Sequence, residues 1–172
     1  MESVTIDTNI FPLDSLQHLA EEAGFVLEVS SVTNRELEGT DLSDSAQSLG
    51  ETLETFHFGE GSWGRMVFGS IEDASDFEKI LRIISSGSHP KNRENLTPAQ
   101  LNQRRDALIL QSHIRSGKKV FVSNDERGFI KNGRRELFEK AFPIKIFNQA
   151  EFAAYCTELI QKKSLGSEDQ AL

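Results

Sequence analysis

Three acidic side chains stand where a parallel α/β protein would gather them at one edge of its sheet. Asp7 closes a short β-branched run, Asp125 closes a later one, and Glu36 follows a strand-like segment by less than two helical turns. Ligands of open parallel sheets bind beyond the carboxyl ends of the strands, so these carboxylates are predicted to converge. Converging carboxylates repel one another unless a divalent cation neutralises them, and Mg²⁺ or Mn²⁺ prefers such oxygen ligands. The set therefore predicts metal-assisted hydrolysis of a phosphodiester bond.

Asp106 is a fourth acid, and it is predicted to lie inside a helix. On a helical wheel, its neighbours within about 100° on either side are apolar; they are Ala99, Ala107, Ile109, Leu110 and Ile114. A carboxylate in an apolar stripe is costly unless a cation, a set of donors or a metal compensates it. A salt bridge or a cap to a neighbouring loop would serve for Asp106 alone, but together with the other three acids it favours a metal site.

The predicted elements alternate between strands and helices. Gly24 is placed as the C-cap of a first helix, and residues 97–100 combine a capping Thr, a first-turn Pro and a Gln that closes a capping box. Strands are predicted at 4–6, 25–32, 119–122 and 143–147, and helices at about 34–38, 76–84, 97–116, 134–141 and 151–161. This order predicts an α/β fold, with a mainly parallel sheet of about four or five strands and helices on both faces in three layers.

The length of 172 residues fits one domain. We expect it to span residues 1–163, with an acidic insert at about 40–95 and a flexible tail at 164–172. No apolar stretch is long enough for a membrane span, and the N-terminus lacks the features of a signal peptide. The single cysteine, Cys156, excludes an internal disulfide and suggests a reducing compartment. We therefore expect a cytoplasmic protein without a membrane partner.

Charge is distributed unevenly along the chain. The net charge is -8, but residues 1–86 carry 17 acidic and 4 basic side chains, whereas residues 87–172 carry 10 acidic and 15 basic ones. This asymmetry is compatible with a polyanion that meets one face of the protein. Arg127, Arg134 and Arg135 follow the strand that ends at Asp125, so they are candidates for phosphate contacts, the alternative being a solvated surface.

Other residues have competing interpretations. Glu126 rivals Asp125 as the fourth acid, although it should point elsewhere if the strand end is regular. His113 is predicted to be a core residue, and Trp63 either packs a loop or stacks on a base. An Asp-x-Asp phosphatase nucleophile is disfavoured, because the position two residues after Asp7 is Asn9.

Four segments together resemble PIN-domain nucleases, in the order and on the elements that this family uses. Val4–Phe11 resembles the family's opening strand with its Asp-Thr-Asn signature, and Ser31–Leu37 is similar to the segment that supplies the second acid. Arg105–Leu110 resembles the helix of the third acid. Val120–Asp125, followed by Phe129, looks like the strand end of the fourth. The resemblance covers most of residues 3–155.

The resemblance implies that Asp7, Glu36, Asp106 and Asp125 hold Mg²⁺ or Mn²⁺ and that the protein hydrolyses RNA, usually single-stranded. Asn9 and Ser123 would be polar helpers that hydrogen-bond these carboxylates or the metal's waters. The implied setting is the toxin half of a bacterial toxin–antitoxin module, with an antitoxin partner and a homodimeric toxin. The long acidic insert departs from the commonest small members, and it leaves open a catalytically silent PIN-like binding or assembly module.

Overall fold

The computed structural model of the chain describes residues 1–13, 15–55 and 66–168. Its strands are β1 (Glu2–Ile6), β2 (Phe25–Ser30), β3 (Gly50–Thr52), β4 (Glu54–Thr55), β5 (Met66–Val67), β6 (Val120–Val122) and β7 (Lys145–Phe147). Its α-helices are α1 (Leu16–Ala23), α2 (Ser31–Leu37), α3 (Ser43–Gln47), α4 (Ile71–Ile84), α5 (Pro98–Arg115), α6 (Arg134–Ala141) and α7 (Gln149–Glu168). A 3-10 helix spans Thr8–Ile10, and a wider π-helical turn spans Glu126–Ile130.

Five of the strands form one sheet in the order β3-β2-β1-β6-β7, and every neighbouring pair is parallel. The central strand is β1, with Ile6 in register with Val122 of β6. The ends of β1 and β6 therefore lie side by side, and each leads directly into a segment that carries a predicted site residue. The predicted α/β fold, with a parallel sheet in a single three-layer domain, is confirmed.

The two faces of the sheet carry separate apolar cores. Val4 and Ile6 of β1 point into the core that α1 and α7 cover, where Phe152 and Cys156 are fully buried. The opposite core is formed by α4, α5 and α6 on β6 and β7, around Phe121. Side chains alternate along a strand, so Thr5 and Asp7 face the second layer, which contains α5.

Local sequence signals place several elements correctly. Gly24 ends α1 in the left-handed conformation at φ 100°, where a residue without Cβ is least strained. Thr97 and Gln100 form the predicted capping box at the start of α5. The helix α6 covers the predicted residues. These signals are local hydrogen bonds and backbone preferences, so a few adjacent residues are enough to indicate them.

Several boundaries differ from the prediction. β2 ends at Ser30, because the Ser30 hydroxyl accepts a hydrogen bond from Thr33 N and starts α2 at once. α4 begins at Ile71, where Ser70 and Asp73 form a second capping box. α7 continues to Glu168 beyond the predicted end, so the expected tail after Lys163 is partly helical. Lys163 Nζ donates to Ala23 O at 2.7 Å, which attaches this helix to the end of α1.

The acidic region predicted as an insert contributes to the main sheet. β3 extends the sheet beside β2, and the next residues are held by polar contacts. Glu54 is buried and forms an ion pair with Arg35, while Thr55 Oγ1 donates to Gln111 Oε1 at 2.7 Å. Residues 56–65, including Trp63, lie outside the described residues. Within the described ranges, no helix combines the length and apolar character needed to cross a membrane.

Candidate metal centre

Asp7 follows the last residue of the central strand and is 3% exposed. Its backbone N–H donates to Val122 O at 2.9 Å, so the strand pairing with β6 continues to this residue. Oδ1 accepts from Thr8 N at 2.8 Å, which starts the 3-10 helix after β1. The hydrogen-bonded position fixes the carboxylate at the edge of the sheet, on the face covered by α5.

Ser123 and Asn9 hold the second oxygen of Asp7. Ser123 Oγ donates to Asp7 Oδ2 at 2.6 Å, and Asn9 Nδ2 donates to the same oxygen at 2.8 Å. Ser123 Oγ also accepts from Asp125 N at 3.0 Å. Asn9 Oδ1 accepts from Asn124 N at 2.7 Å, so the segment after β6 is fastened to the segment after β1. The geometry therefore places both predicted polar helpers against the first acid.

Glu36 reaches the same edge from α2. It is exposed, and Thr8 Oγ1 donates to Glu36 Oε2 at 2.6 Å. Because the early start of α2 at Ser31 puts Glu36 within its last turn, the side chain extends towards the turn after β1 rather than away from the sheet. Thr8 thus connects the segment of the first acid with that of the second.

Asp106 and Asp125 meet across a glycine. A Cβ on Gly128 would lie 2.3 Å from Asp125 Oδ2 and 3.6 Å from Asp106 Oδ2, so these two oxygens are both close to one backbone atom. Both acids are half-buried. Asp125 Oδ1 accepts from Arg127 N at 2.9 Å, which caps the π-helical turn. The rival acid Glu126 is exposed and forms an ion pair with Lys131, so Asp125 is the one that faces Asp106.

Two of the four carboxylates have raised pKa values. The pKa of Asp7 is raised to about 6: burial is the largest cause, the charges of Glu36 and Asp125 act in the same direction, and the hydrogen bonds from Ser123 and Thr8 act against them. The pKa of Asp106 is raised to about 8 by burial first and then by the charges of Asp7, Asp125 and Glu36. The charges of Glu36 and Asp125 thus act on both Asp7 and Asp106.

The side chains gathered at this edge offer oxygen ligands of the kind that a hard divalent cation prefers. The donors are carboxylate oxygens with hydroxyl and amide groups behind them, which suits Mg²⁺ or Mn²⁺ better than a softer metal. Buried carboxylates with raised pKa values would be returned to the ionised form by a nearby cation. In the described part of the chain, however, no three His, Cys, Asp or Glu side chains already form a group that could hold a metal ion. The chemistry of the four carboxylates and their hydrogen-bond partners fits the metal.

The basic residues divide into two kinds. Arg127 is exposed and lines a cleft of about 550 Å³ together with Asp106 and Asp125. Arg134 also reaches this cleft, but its guanidinium donates to Arg127 O, Ile83 O and Ser86 Oγ. Arg135 lies in an ion pair with Glu151 at 3.0 Å. Arg127 is thus an exposed basic side chain beside the acids, whereas the guanidinium groups of Arg134 and Arg135 are held by hydrogen bonds within the fold.

His113 lies on α5 two turns beyond Asp106 and is fully buried. Its Nδ1 is 2.9 Å from Thr5 Oγ1, and the ring packs on Phe121 with centroids 5.5 Å apart. Burial lowers its pKa to about 3, so the imidazole is neutral. The predicted core role of His113 is confirmed, and it joins α5 to β1 below the acids.

Thr8, Asn124 and Gly128 are site residues that sequence reasoning missed. Thr8 and Asn124 are each adjacent to a predicted site residue, and a side chain next to such a residue is a natural candidate for a hydrogen bond within the same site. Gly128 gave a weaker signal, a glycine within a segment that otherwise reads as a helical turn. No known protein family model matches the chain, and no curated protein matches it either.

Proposed function

We propose that this protein is an Mg²⁺- or Mn²⁺-dependent endoribonuclease that hydrolyses phosphodiester bonds of single-stranded RNA. The observation that carries the proposal is the convergence of four acidic segments at one edge of the sheet. Ser123 Oγ donates to Asp7 Oδ2 and accepts from Asp125 N, and Thr8 Oγ1 donates to Glu36 Oε2. Asp125 and Asp106 both lie against Gly128. Several carboxylates placed close together repel one another and destabilise the fold unless a bound cation neutralises them. The ordered resemblance of the same four segments to PIN-domain nucleases supports this interpretation.

The residues have distinct roles in this proposal. Asp7, Glu36, Asp106 and Asp125 would hold the metal, which when bound supplies an activated water and neutralises charge on the phosphoryl oxygens. Ser123 and Asn9 keep Asp7 oriented through hydrogen bonds to its Oδ2. The hydrogen bonds from Ser123 and Thr8 lower the pKa of Asp7 and so favour its ionised form. Arg127 would contact a phosphate beside the acids, since its guanidinium is exposed at their cleft.

We further propose a biological setting, the toxin half of a toxin–antitoxin module in the cytoplasm, with an antitoxin partner and a homodimeric toxin. This setting derives from the resemblance alone. A short reading frame beside the gene and growth arrest on expression would support it. A normal growth rate on expression of a protein that cleaves RNA in vitro would contradict it.

A catalytically silent PIN-like binding or assembly module is the second candidate function. It is favoured by one observation, that no three acidic, His or Cys side chains among the described residues already form a group that could hold a metal. The presence of all four acids with two donors on Asp7 counts against it, because a silent module does not require them.

Cleavage of a labelled single-stranded RNA pool distinguishes the two candidates. Wild type, Asp7→Asn and Asp41→Asn would be compared with Mn²⁺, Mg²⁺ or EDTA, Asp41 being an exposed acid outside the site. The nuclease proposal expects metal-dependent cleavage by wild type and Asp41→Asn that Asp7→Asn abolishes. Folded protein that neither cleaves RNA nor binds metal would support the silent module.

A further inference from the structure

A second cleft, of about 660 Å³, opens beside the acids between the start of α1, the start of α7 and the residues that flank Asp125. Its volume lies within the range of about 300–1,000 Å³ that is typical of small-molecule sites. About half of the wall is aliphatic and comes from Leu13, Leu16, Leu19, Ile130 and Ala153, and polar side chains form the rest. Asn124 and Glu126 line it as well, so the segment that carries Asp125 separates this cleft from the one that contains Asp106.

Two side-chain amides at this cleft, those of Asn148 and Gln149, use their oxygen atoms as hydrogen-bond acceptors within the fold. Asn148 Oδ1 caps α7 by accepting from Glu151 N at 2.8 Å, and Gln149 Oε1 accepts from Asn124 Nδ2 at 3.1 Å. The Nδ2 of Asn148 and the Nε2 of Gln149 make no hydrogen bond to another residue in the described ranges. An entirely apolar occupant would cover these N–H groups without pairing them, which costs about 1–3 kcal/mol for each buried group. The cleft therefore favours a ligand with apolar faces and hydrogen-bond acceptors at its edge.

The cleft is linked to the first acid by two hydrogen bonds. Asn124 N donates to Asn9 Oδ1 at 2.7 Å, and Asn9 Nδ2 donates to Asp7 Oδ2 at 2.8 Å. A ligand with a phosphate at the acids could consequently place a neighbouring group in the cleft. The negative charge of Glu126 at the rim is balanced by its ion pair with Lys131, so little electrostatic repulsion is expected between Glu126 and the acceptor atoms of an uncharged ring.

We propose that this cleft binds the nucleobase of a nucleotide that adjoins the phosphate at the acids. A nucleobase has two apolar faces for the aliphatic walls and ring or carbonyl acceptors for the two amides. The position of the phosphate rests on the proposed function, whereas affinity of the cleft for a base does not. Gln149 is then a specificity-determining residue, because its Nε2, which has no hydrogen-bond partner among the described residues, selects bases by the acceptors on their edge.

Titration with the four uncharged ribonucleosides tests base binding without metal or cleavage. Backbone amide shifts of Asn124, Gln149 and Ala150 would be followed by NMR in EDTA. Ala150→Trp would fill the cleft from an exposed position, and Ala154→Trp, exposed one turn further along α7, is the matched control. Gln149→Glu keeps the acceptor for Asn124 Nδ2 and replaces the free donor, so it serves as a second variant that hardly changes shape.

We expect wild type and Ala154→Trp to show nucleoside-dependent shifts at the cleft. In Ala150→Trp the nucleoside affinity should fall about tenfold or more, and in Gln149→Glu the preference among the four bases should change. No shifts at these amides, or shifts that persist in Ala150→Trp, would overturn the inference. Binding of an apolar peptide at the cleft in place of nucleosides would overturn it as well.

RNA cleavage by the same variants separates this inference from the proposed function. If wild type cleaves and Ala150→Trp retains the same sequence preference and KM, the nucleobase assignment fails while the nuclease stands. If wild type does not cleave, the proposed function fails, and the nucleoside titration still decides whether the cleft binds a base. A raised KM with altered sequence preference and unchanged Mn²⁺ affinity would support both.

Discussion

Gly128 lies directly against the carboxylate of Asp125, with room for nothing larger than hydrogen between them. A Cβ at position 128 would come within 2.3 Å of Asp125 Oδ2, well below any normal contact. The same Cβ would lie 3.6 Å from Asp106 Oδ2. A side chain at position 128 would therefore displace the Asp125 carboxylate, whereas Asp106 would remain in ordinary contact with it.

Replacing Gly128 with Ala is expected to displace Asp125 and weaken divalent metal binding by about tenfold to a hundredfold, as for other residues that orient metal ligands. Mn²⁺ affinity and the melting temperature would both be measured. Gly87→Ala is the control. An alanine there is also unfavourable, because the backbone φ is +78°, but the added Cβ would have no atom within 4 Å and would displace no neighbour. Equal Mn²⁺ affinity in wild type and Gly128→Ala would contradict the assigned role.

Ser123→Ala is expected to raise the pKa of Asp7 above its value of about 6, because the Ser123 hydroxyl bond lowers that pKa. The carboxyl pKa can be followed by NMR in the metal-free protein. Ser112→Ala is a suitable control, since Ser112 is also buried but donates only to Ile109 O in its own helix. An Asp7 pKa that falls or stays constant in Ser123→Ala would show that this hydrogen bond does not favour the ionised form.

Asp106→Asn is expected to stabilise the metal-free protein at alkaline pH. The folded pKa of Asp106, about 8, lies above its ordinary value of 3.8, so the folded state binds more protons and wild-type stability falls between these pH values. Each pH unit in this window corresponds to about 1.4 kcal/mol for one group. The advantage of Asp106→Asn should grow from about pH 4 and level off above about pH 8.

Urea unfolding of both proteins in EDTA at several pH values measures this difference. Asp76→Asn, a half-buried acid on α4, provides a control for the loss of one negative charge. A variant that is less stable than wild type at pH 8 would mean that Asp106 is compensated within the fold and has no need of a cation.

Arg127→Ala is expected to lower RNA affinity several-fold and to reduce its salt dependence, because one phosphate contact is lost. Arg135→Ala should leave RNA affinity unchanged and cost about 0.2–1 kcal/mol of stability, as its partner Glu151 is partly exposed. Binding to an RNA oligomer at several salt concentrations checks both. The opposite ranking of the two variants would place the phosphate path along α6 and away from the cleft of Asp106.

The sequence allowed prediction of features that depend on local chemistry. The capping box at Thr97, the C-cap at Gly24 and the strand ends at Asp7 and Asp125 are specified by a few adjacent residues. The alternation of these elements was sufficient to predict the parallel sheet. The prediction that Asp106 meets the other acids required only that its helix cover the face of β1 that carries Asp7.

Features that depend on tertiary contacts could not be predicted from the sequence patterns. Arg134 and Arg135 follow the strand of Asp125 as closely as Arg127 does, and only the fold shows that their guanidinium groups bind Ile83 O and Glu151. The early end of β2 reflects competition between a strand and the cap at Ser30. The role of Gly128 depends on the close approach of the Asp125 carboxylate, and a glycine within a turn does not indicate which side chain approaches it.

Titration with Mn²⁺, monitored by electron paramagnetic resonance, tests the central claim most directly, because it asks whether the four acids hold a divalent cation. Wild type, Asp7→Asn, Asp106→Asn and the control Glu126→Gln would be compared, Glu126 being an exposed acid adjacent to Asp125 that pairs with Lys131. We expect saturable Mn²⁺ binding in wild type and Glu126→Gln that is lost or strongly weakened in both Asp variants. Equal Mn²⁺ binding in all four proteins, or none in folded wild type, would contradict it.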